Sequence, residues 1–242
     1  MDKKLKLAVI GKPIGHSKSP EIHQDFANQF DAKIEFRKDE VTPETLETWL
    51  ADFFKDAGKG VSITLPLKEA ALNYADEISD RARLASACNV IYSKDEKIFA
   101  DCTDGFGLIK DLEENLKVSL EDKKILILGA GGAARGIIPS IIEKKPAKLK
   151  VANRTESKAL LLREDLEAKV NLKEKNTIFE AGDLSDDFLL DDSYDLVINS
   201  TSISTQAGES LGLPKALFTG TKLAYDLFYS AKKTAFMQDA LA

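Results

Sequence analysis

The chain has 242 residues, 43% of them hydrophobic, enough for one large domain or two smaller ones with packed cores. A formal net charge of −6 argues against nucleic acid as a partner, while a local basic pocket for one phosphate stays open. Two cysteines, Cys88 and Cys102, with two histidines, His16 and His23, are too few for a disulfide framework or a zinc site. With no signal-peptide core and no apolar stretch of about 20 residues, a soluble cytoplasmic protein is expected, with no membrane partner and either a monomer or a homodimer as its assembly.

Short β-rich runs alternate with helical patterns from end to end. They are LKLAVI (5–10), KIEFRK (33–38), GVSIT (60–64), NVIYS (89–93), KILIL (124–128), KLKVA (148–152), TIFE (177–180), DLVIN (195–199) and KLAYD (222–226). This rhythm predicts an α/β fold with largely parallel sheets. Ser19-Pro20 and Thr42-Pro43 each offer an N-cap followed by a proline at the first helical position, so helices are expected to start there. TDGFGLIKDLEENL (103–116) reads as an amphipathic helix, with Phe106, Leu108, Ile109, Leu112 and Leu116 apolar. It joins two strand–helix series, which puts a domain junction near 101–104. The charged stretch 166–175 reads as a solvated helix end and loop.

In the second half, KILILGAGGAARG (124–136) is an apolar strand opening into a glycine-rich turn and a helix. Gly129, Gly131 and Ala134 fit the pattern of a dinucleotide site: a tight turn, close backbone approach to pyrophosphate, and close helix–sheet packing. The helix N-terminus presents free N–H groups to phosphate. The next strand ends in VANRT (151–155), with Asn153-Arg154 where an NAD site usually has an acid. Arg154 therefore favours NADP, since a guanidinium pairs with a 2′-phosphate, and Thr155 and Lys158 add donors. In INSTSIST (198–205), Asn199, Thr201 and Ser202 lie where open α/β sheets bind ligands; a helix cap explains them nearly as well.

In the first half, IGKPIGHSKSPEIH (10–23) places Ser17 and Ser19 two residues apart after the first strand, a spacing suited to a carboxylate or a polyol. Ser19 serves equally as a plain N-cap, and His16 lacks an evident carboxylate partner. GVSITLPLKEA (60–70) runs a strand into Pro66 and places Lys68 just beyond it.

GKPIGHSKSPEIH, SITLPLKEA, SACNVI, DCTDGFG, GAGGAARG, NRT, INSTS and YDLFYSAKKT occur in the order and approximate spacing of the shikimate dehydrogenase family, which the chain resembles over nearly its whole length. The resemblance implies an N-terminal α/β substrate domain, residues 1–103, and a C-terminal Rossmann-type doubly wound dinucleotide-binding domain, residues 104–242. It implies a proton-transfer pair, Lys68 and Asp104, contacting the hydroxyl that is oxidised. Ser17 and Ser19 match serines that hold the substrate carboxylate, Thr64, Asn89 and Asp104 groups that bind ring hydroxyls, and Tyr229 the tyrosine near that carboxylate. The cofactor matches are Gly129, Gly131, Gly132, Ala133, Asn153, Arg154, Thr155, Thr201 and Leu227, with Lys158 in place of a second arginine. Together they imply NADP-dependent interconversion of shikimate and 3-dehydroshikimate, run physiologically as a reduction, in chorismate biosynthesis.

The chain departs from the family pattern at Ser62, Ala100, Cys102 and Ala235, which stand for asparagine, glycine, asparagine and proline. The family also continues past KTAFMQDALA with a glycine-rich turn and a helix bearing a substrate-binding glutamine, so this sequence is expected to be either a fragment of a longer chain or a short form whose substrate site lacks that wall. Two other readings remain at this stage: a quinate/shikimate dehydrogenase using NAD, against which Arg154 counts, and a catalytically weak binding or regulatory homologue, against which the Lys68–Asp104 pair counts.

Overall fold

The computed structural model describes residues 4–203 and 209–241, at Lys173 the backbone alone. The chain divides into two compact units, Met1–Asp104 and Gly105–Ala242.

The first unit contains β1 (Leu5–Gly11), α1 (Ser19–Gln29), β2 (Ile34–Glu40), α2 (Leu46–Lys55), β3 (Gly58–Ile63), α3 (Lys68–Ala71), β4 (Glu77–Ile78), α4 (Asp80–Ala85), β5 (Val90–Lys94) and β6 (Lys97–Asp101). They form a six-stranded sheet in the order β2-β1-β3-β5-β6-β4. β1 is parallel to β2 and β3, whereas β5 runs antiparallel to both β3 and β6. The core gathers Ile10, Val61, Ile63 and Ile91 from the strands, with Leu46, Leu50 and Phe53 from α2 at helical spacing. Each such side chain taken fully from water contributes about 1.5–3 kcal/mol.

This unit differs from expectation at three places: a strand not named from the sequence, the start of α2, and the capping residue of α1, which begins at Ser19 as expected. KIFAD (97–101), passed over in the sequence, is strand β6, and the two-residue turn that leads into it has positive φ at Asp95 (51°) and Glu96 (62°). Such hairpin turns usually announce themselves by Asn-Gly or Asp-Gly, and Asp-Glu does not. Helix α2 starts at Leu46 with Thr45 at its N-cap, because Thr42 and Thr45 first close a turn on each other. In α1 the N-cap is Lys18, so Ser19 and Pro20 are already inside the helix.

The second unit follows α5 (Asp104–Lys110), which starts on the last residue of the first unit and runs on as a π-helical turn, Asp111–Asn115. Leu108, Ile109 and Leu112 are buried as expected, but Phe106 and Leu116 are exposed. The extra residue of a π turn puts Leu116 out of phase with the apolar face. Then come β7 (Lys124–Leu128), α6 (Gly132–Glu143), β8 (Lys148–Ala152), α7 (Glu156–Glu167), α8 (Leu172–Lys175), β9 (Ile178–Gly182), α9 (Asp186–Leu190), β10 (Leu196–Asn199), β11 (Leu223–Asp226) and α10 (Ala235–Leu241). The 166–175 stretch, read as solvated, contains the buried Leu166 and the short helix α8.

The sheet order is β11-β10-β7-β8-β9, with every pairing parallel. Helices cover both faces, which is why β7 reads as an unbroken apolar run: Ile125 and Ile127 join one core, Leu126 and Leu128 the other. Buried Lys150 in β8 breaks that rule. Its Nζ donates to the Phe188 carbonyl at 2.6 Å, pairs with Asp191 and sits 4.0 Å over the Phe188 ring, contacts that offset its desolvation. The chain order reverses between β7 and β10, and in open parallel sheets ligands bind beyond the strand C-termini at that reversal. Among the described residues, no helix is long and apolar enough to cross a membrane.

Candidate active site

In the first unit, β1 and β3 lie side by side and their C-terminal loops stay in register: Thr64 N–H donates to the Ile10 carbonyl at 3.0 Å, and Lys12 N–H to the Leu65 carbonyl at 2.8 Å. The β3 loop turns at Leu65-Pro66, a cis peptide, and delivers Lys68 as the first residue of α3. Its Nζ donates to Asp104 Oδ2 at 2.5 Å. The side chains are 14% and 23% exposed, so this is not the surface ion pair that would contribute little.

Asn89, at the start of the β5–β6 hairpin, holds the other side of that carboxylate. Its Nδ2 donates to Asp104 Oδ1 and to Thr103 Oγ1, both at 2.9 Å, while its Oδ1 accepts the Thr103 N–H at 2.9 Å. Lys68 and Asp104, expected as a pair, therefore form one bonded group with Asn89, to which the structure adds Thr103. Flanking Cys88 and Cys102 are buried, and burial pushes their thiols up to about 12 and about 11. Both stay protonated and take no part as nucleophiles at neutral pH.

The β1 loop carries the serine pair. Ser17 is buried, and its Oγ donates to Ser19 Oγ at 3.2 Å. With Lys18 at the N-cap, the Ser19 hydroxyl is not spent on capping α1. Lys38 from β2, which sequence reasoning missed, donates to the carbonyls of Gly15 at 3.1 Å and Ser17 at 3.3 Å and so ties the loop down. His23 is occupied structurally, its Nδ1 2.8 Å from the Ser19 carbonyl and its ring against Phe26 and Phe36; His16 is exposed.

In the second unit, Gly129 follows β7 with φ +105°, a conformation that favours glycine, and a Cβ there would lie 2.7 Å from Ser200 Oγ. Gly131 caps α6, and a Cβ on it would meet nothing within 4 Å. Gly132 and Ala133 form the first turn of α6, where the N–H groups have no intrahelical acceptor, and Ala134 is buried in the core of this unit. Beyond β8, the Asn153 amide donates to the Thr155 carbonyl at 2.9 Å and closes a turn. Arg154, Thr155 and Lys158 stand exposed on it, and among the described residues neither cation has an ion pair. A bare helix terminus beside two unpaired cations fits a dinucleotide carrying a 2′-phosphate.

Across β7, Thr201 follows β10 and Leu227 follows β11. The Thr201 hydroxyl bonds to the Asn199 amide oxygen at 2.7 Å, and the Leu227 N–H donates to the Asn199 carbonyl at 3.0 Å. Tyr229 is half exposed and stacks on Phe228 with ring centres 6.0 Å apart. The end of the INSTSIST stretch, 204–205, lies outside the described residues.

Known families match both units. The family described as "Shikimate dehydrogenase substrate binding domain" matches residues 9–91, and "Shikimate / quinate 5-dehydrogenase" matches residues 111–207. The shikimate dehydrogenase (NADP(+)) of Herminiimonas arsenicoxydans is 42% identical over 238 residues, covering 97% of this chain and 82% of that one. The chain belongs to the shikimate dehydrogenase family.

Solved relatives share its fold. An Ael1 enzyme from Pseudomonas putida superposes with a TM-score of 0.83 at 36% identity, covering 98% of this chain and 84% of that one. Shikimate 5-dehydrogenase from Thermus thermophilus, solved with NADP(H) and shikimate, gives 0.82 at 29% identity, covering 98% and 84%. Family membership agrees with the α/β substrate-binding and dinucleotide-binding architecture read from the strand rhythm and the glycine turn.

Proposed function

We propose that this member of the family interconverts shikimate and 3-dehydroshikimate with NADP(H), as a step of chorismate biosynthesis in the cytoplasm. The observation that carries the reading is the partly buried Lys68–Asp104 contact, locked from the other side by Asn89. A secondary alcohol gives up a hydride only if its hydroxyl proton has somewhere to go, and the reverse reaction needs a donor. In the reducing direction, Lys68 Nζ gives its proton to the carbonyl oxygen as the alcohol forms; in the oxidising direction it takes that proton back. Asp104 keeps Nζ aimed, and its own direction is set by Asn89 and Thr103.

Ser17 and Ser19 hold the substrate carboxylate in this reading, with Tyr229 near it, while Thr64, Asn89 and Asp104 bind ring hydroxyls. Apart from Asp104 and Tyr229, residues 1–103 supply the substrate groups and 104–242 the cofactor groups. Gly129, Gly131, Gly132 and Ala133 take the pyrophosphate; Asn153, Arg154, Thr155 and Lys158 take the phosphorylated ribose; Thr201 and Leu227 line the remaining half. NADP bound there supplies the hydride acceptor, and NADPH the donor.

The test is steady-state NADPH formation from shikimate by this chain, with NAD and quinate in parallel. Turnover that favours shikimate with NADP supports the reading. Preference for NAD or quinate overturns its specificity, and binding of both ligands without turnover leaves a binding protein.

A further inference from the structure

Asn199 and Asp226 are the last residues of β10 and β11 and face each other in the parallel register. Both are buried, and so is Thr234. Asn199 Nδ2 donates to Asp226 Oδ1 at 3.1 Å, Phe228 N–H donates to the same oxygen at 3.1 Å, and Thr234 Oγ1 donates to Oδ2 at 2.7 Å. On its other side the Asn199 Oδ1 accepts the Thr201 N–H at 3.1 Å and the Thr201 hydroxyl at 2.7 Å.

We propose that Asp226 is a positioning residue for the nicotinamide end of the cofactor: through Asn199 it fixes both the place and the hydrogen-bonding polarity of Thr201. The argument follows from what each group can do. A side-chain amide is nearly symmetric in shape, with a donor on one arm and an acceptor on the other. A carboxylate oxygen facing it accepts, so the Asn199 NH2 arm turns to Asp226 and its oxygen turns to Thr201. That oxygen can only accept, so the Thr201 hydroxyl spends its proton inward, and its own oxygen is left as an acceptor, which takes the Ile203 N–H at 3.4 Å and keeps one further lone pair. The same carboxylate fixes the start of the loop after β11 through the Phe228 N–H, so one buried group sets two loops.

The sheet says which part of the cofactor these loops serve. The glycine turn after β7 suits the pyrophosphate, and Arg154 after β8 suits the phosphorylated ribose. β10 and β11 lie on the opposite side of β7, so the other mononucleotide falls to them. The inference rests on the NADP reading above, and on nothing from the first unit.

The test compares Asp226→Ala and Asp226→Asn with the unaltered chain by titrating NADPH and, separately, adenosine 2′,5′-bisphosphate, which lacks the nicotinamide half. Asp226→Ala is expected to weaken NADPH about tenfold or more while the bisphosphate changes by less than about twofold. Asp226→Asn keeps an oxygen for the Asn199 NH2 arm and is expected to recover most of the lost NADPH affinity. Parallel loss of both ligands in the alanine variant, or no loss of either, overturns the inference, as does an asparagine variant no better than alanine. Should Asp226→Ala fail to fold, Thr234→Val, which removes one donor to the carboxylate, is expected to show the same selectivity to a smaller degree. Equal effects on the two ligands in that variant, or none, again overturn it. An unaltered chain that binds NADH in preference to NADPH refutes the cofactor reading itself, and the inference falls with it.

Discussion

The backbone N–H of Cys88 donates to the carbonyl of Lys68 at 2.9 Å, so the main chain of the lysine is tied to the residue beside Asn89, and Asn89 holds the carboxylate that receives the lysine's Nζ. Lys68 is fixed at both ends by one short segment. Lys68→Ala is therefore expected to lower kcat by about 10²–10⁴-fold, as loss of a general acid does. KM for shikimate should move by only about threefold, because the ring hydroxyls keep their other partners. Steady-state kinetics on the variant, with circular dichroism to check the fold, would expose a mere binding role as a rise in KM at constant kcat.

Arg154 stands exposed beyond β8, and among the described residues it has no ion pair to give up. Charge-assisted hydrogen bonds of about 1.5–3 kcal/mol translate into roughly 10–100-fold in affinity. Arg154→Ala should weaken NADPH by that factor and leave NADH nearly unchanged, read by fluorescence titration of the two cofactors. An equal effect on both would mean that the guanidinium does not meet the 2′-phosphate.

Two glycines of the same turn are expected to fail differently. Gly131 has φ −92° and caps α6, so Gly131→Ser keeps a favoured capping residue and should leave the melting temperature within about 2 °C. Its new side chain enters the open space above the helix N-terminus, and NADPH affinity should fall more than tenfold. Gly129→Ala instead places a methyl against Ser200 at a positive φ, and should cost stability as well as binding. Thermal melts run beside NADPH titrations separate the two cases.

Asp192 supplies a pH signature. Burial acts to raise its pKa, but hydrogen bonds from Lys124 and Lys148 outweigh burial and hold it at about 2, against an ordinary 3.8. A folded-state pKa below the unfolded one gives stability that is full above about pH 4 and is lost as pH falls towards 2; for this 13%-exposed side chain that amounts to about 2 kcal/mol. Asp192→Asn should lose about that much in urea unfolding at pH 7 and almost nothing near pH 2. A constant difference across that range would refute the assignment.

The parallel sheet of the second unit is legible because β7, β8 and β10 are buried on both faces, and such strands write themselves as apolar runs. The turn at Gly129 is legible for a related reason, since its positive φ favours glycine; the cofactor roles proposed for it and for Arg154 rest on residue types in consecutive positions. Thr103, Lys38, Asp226 and Thr234 are not legible. Each acts through a partner brought close only by the fold, as Thr103 meets Asn89 across the hairpin and Lys38 meets a loop 21 or more residues away. Strand β6 escaped notice because its turn uses Asp95 and Glu96 in a conformation that glycine usually supplies.

That turn has a consequence at the other end of the hairpin. β5 and β6 are zipped from Lys94↔Lys97 to Val90↔Asp101, and Asn89 and Thr103 meet just past the last pair. Side chains alternate between faces along a strand, so one residue gained or lost at Asp95-Glu96 would slide the strands by a step and turn Asn89 away from Asp104. The turn is exposed, yet its length sets the reading frame of the Asn89 contact that holds the Lys68–Asp104 ion pair. Changes of residue are tolerable there, whereas a change of length acts on the site from the opposite end of the hairpin.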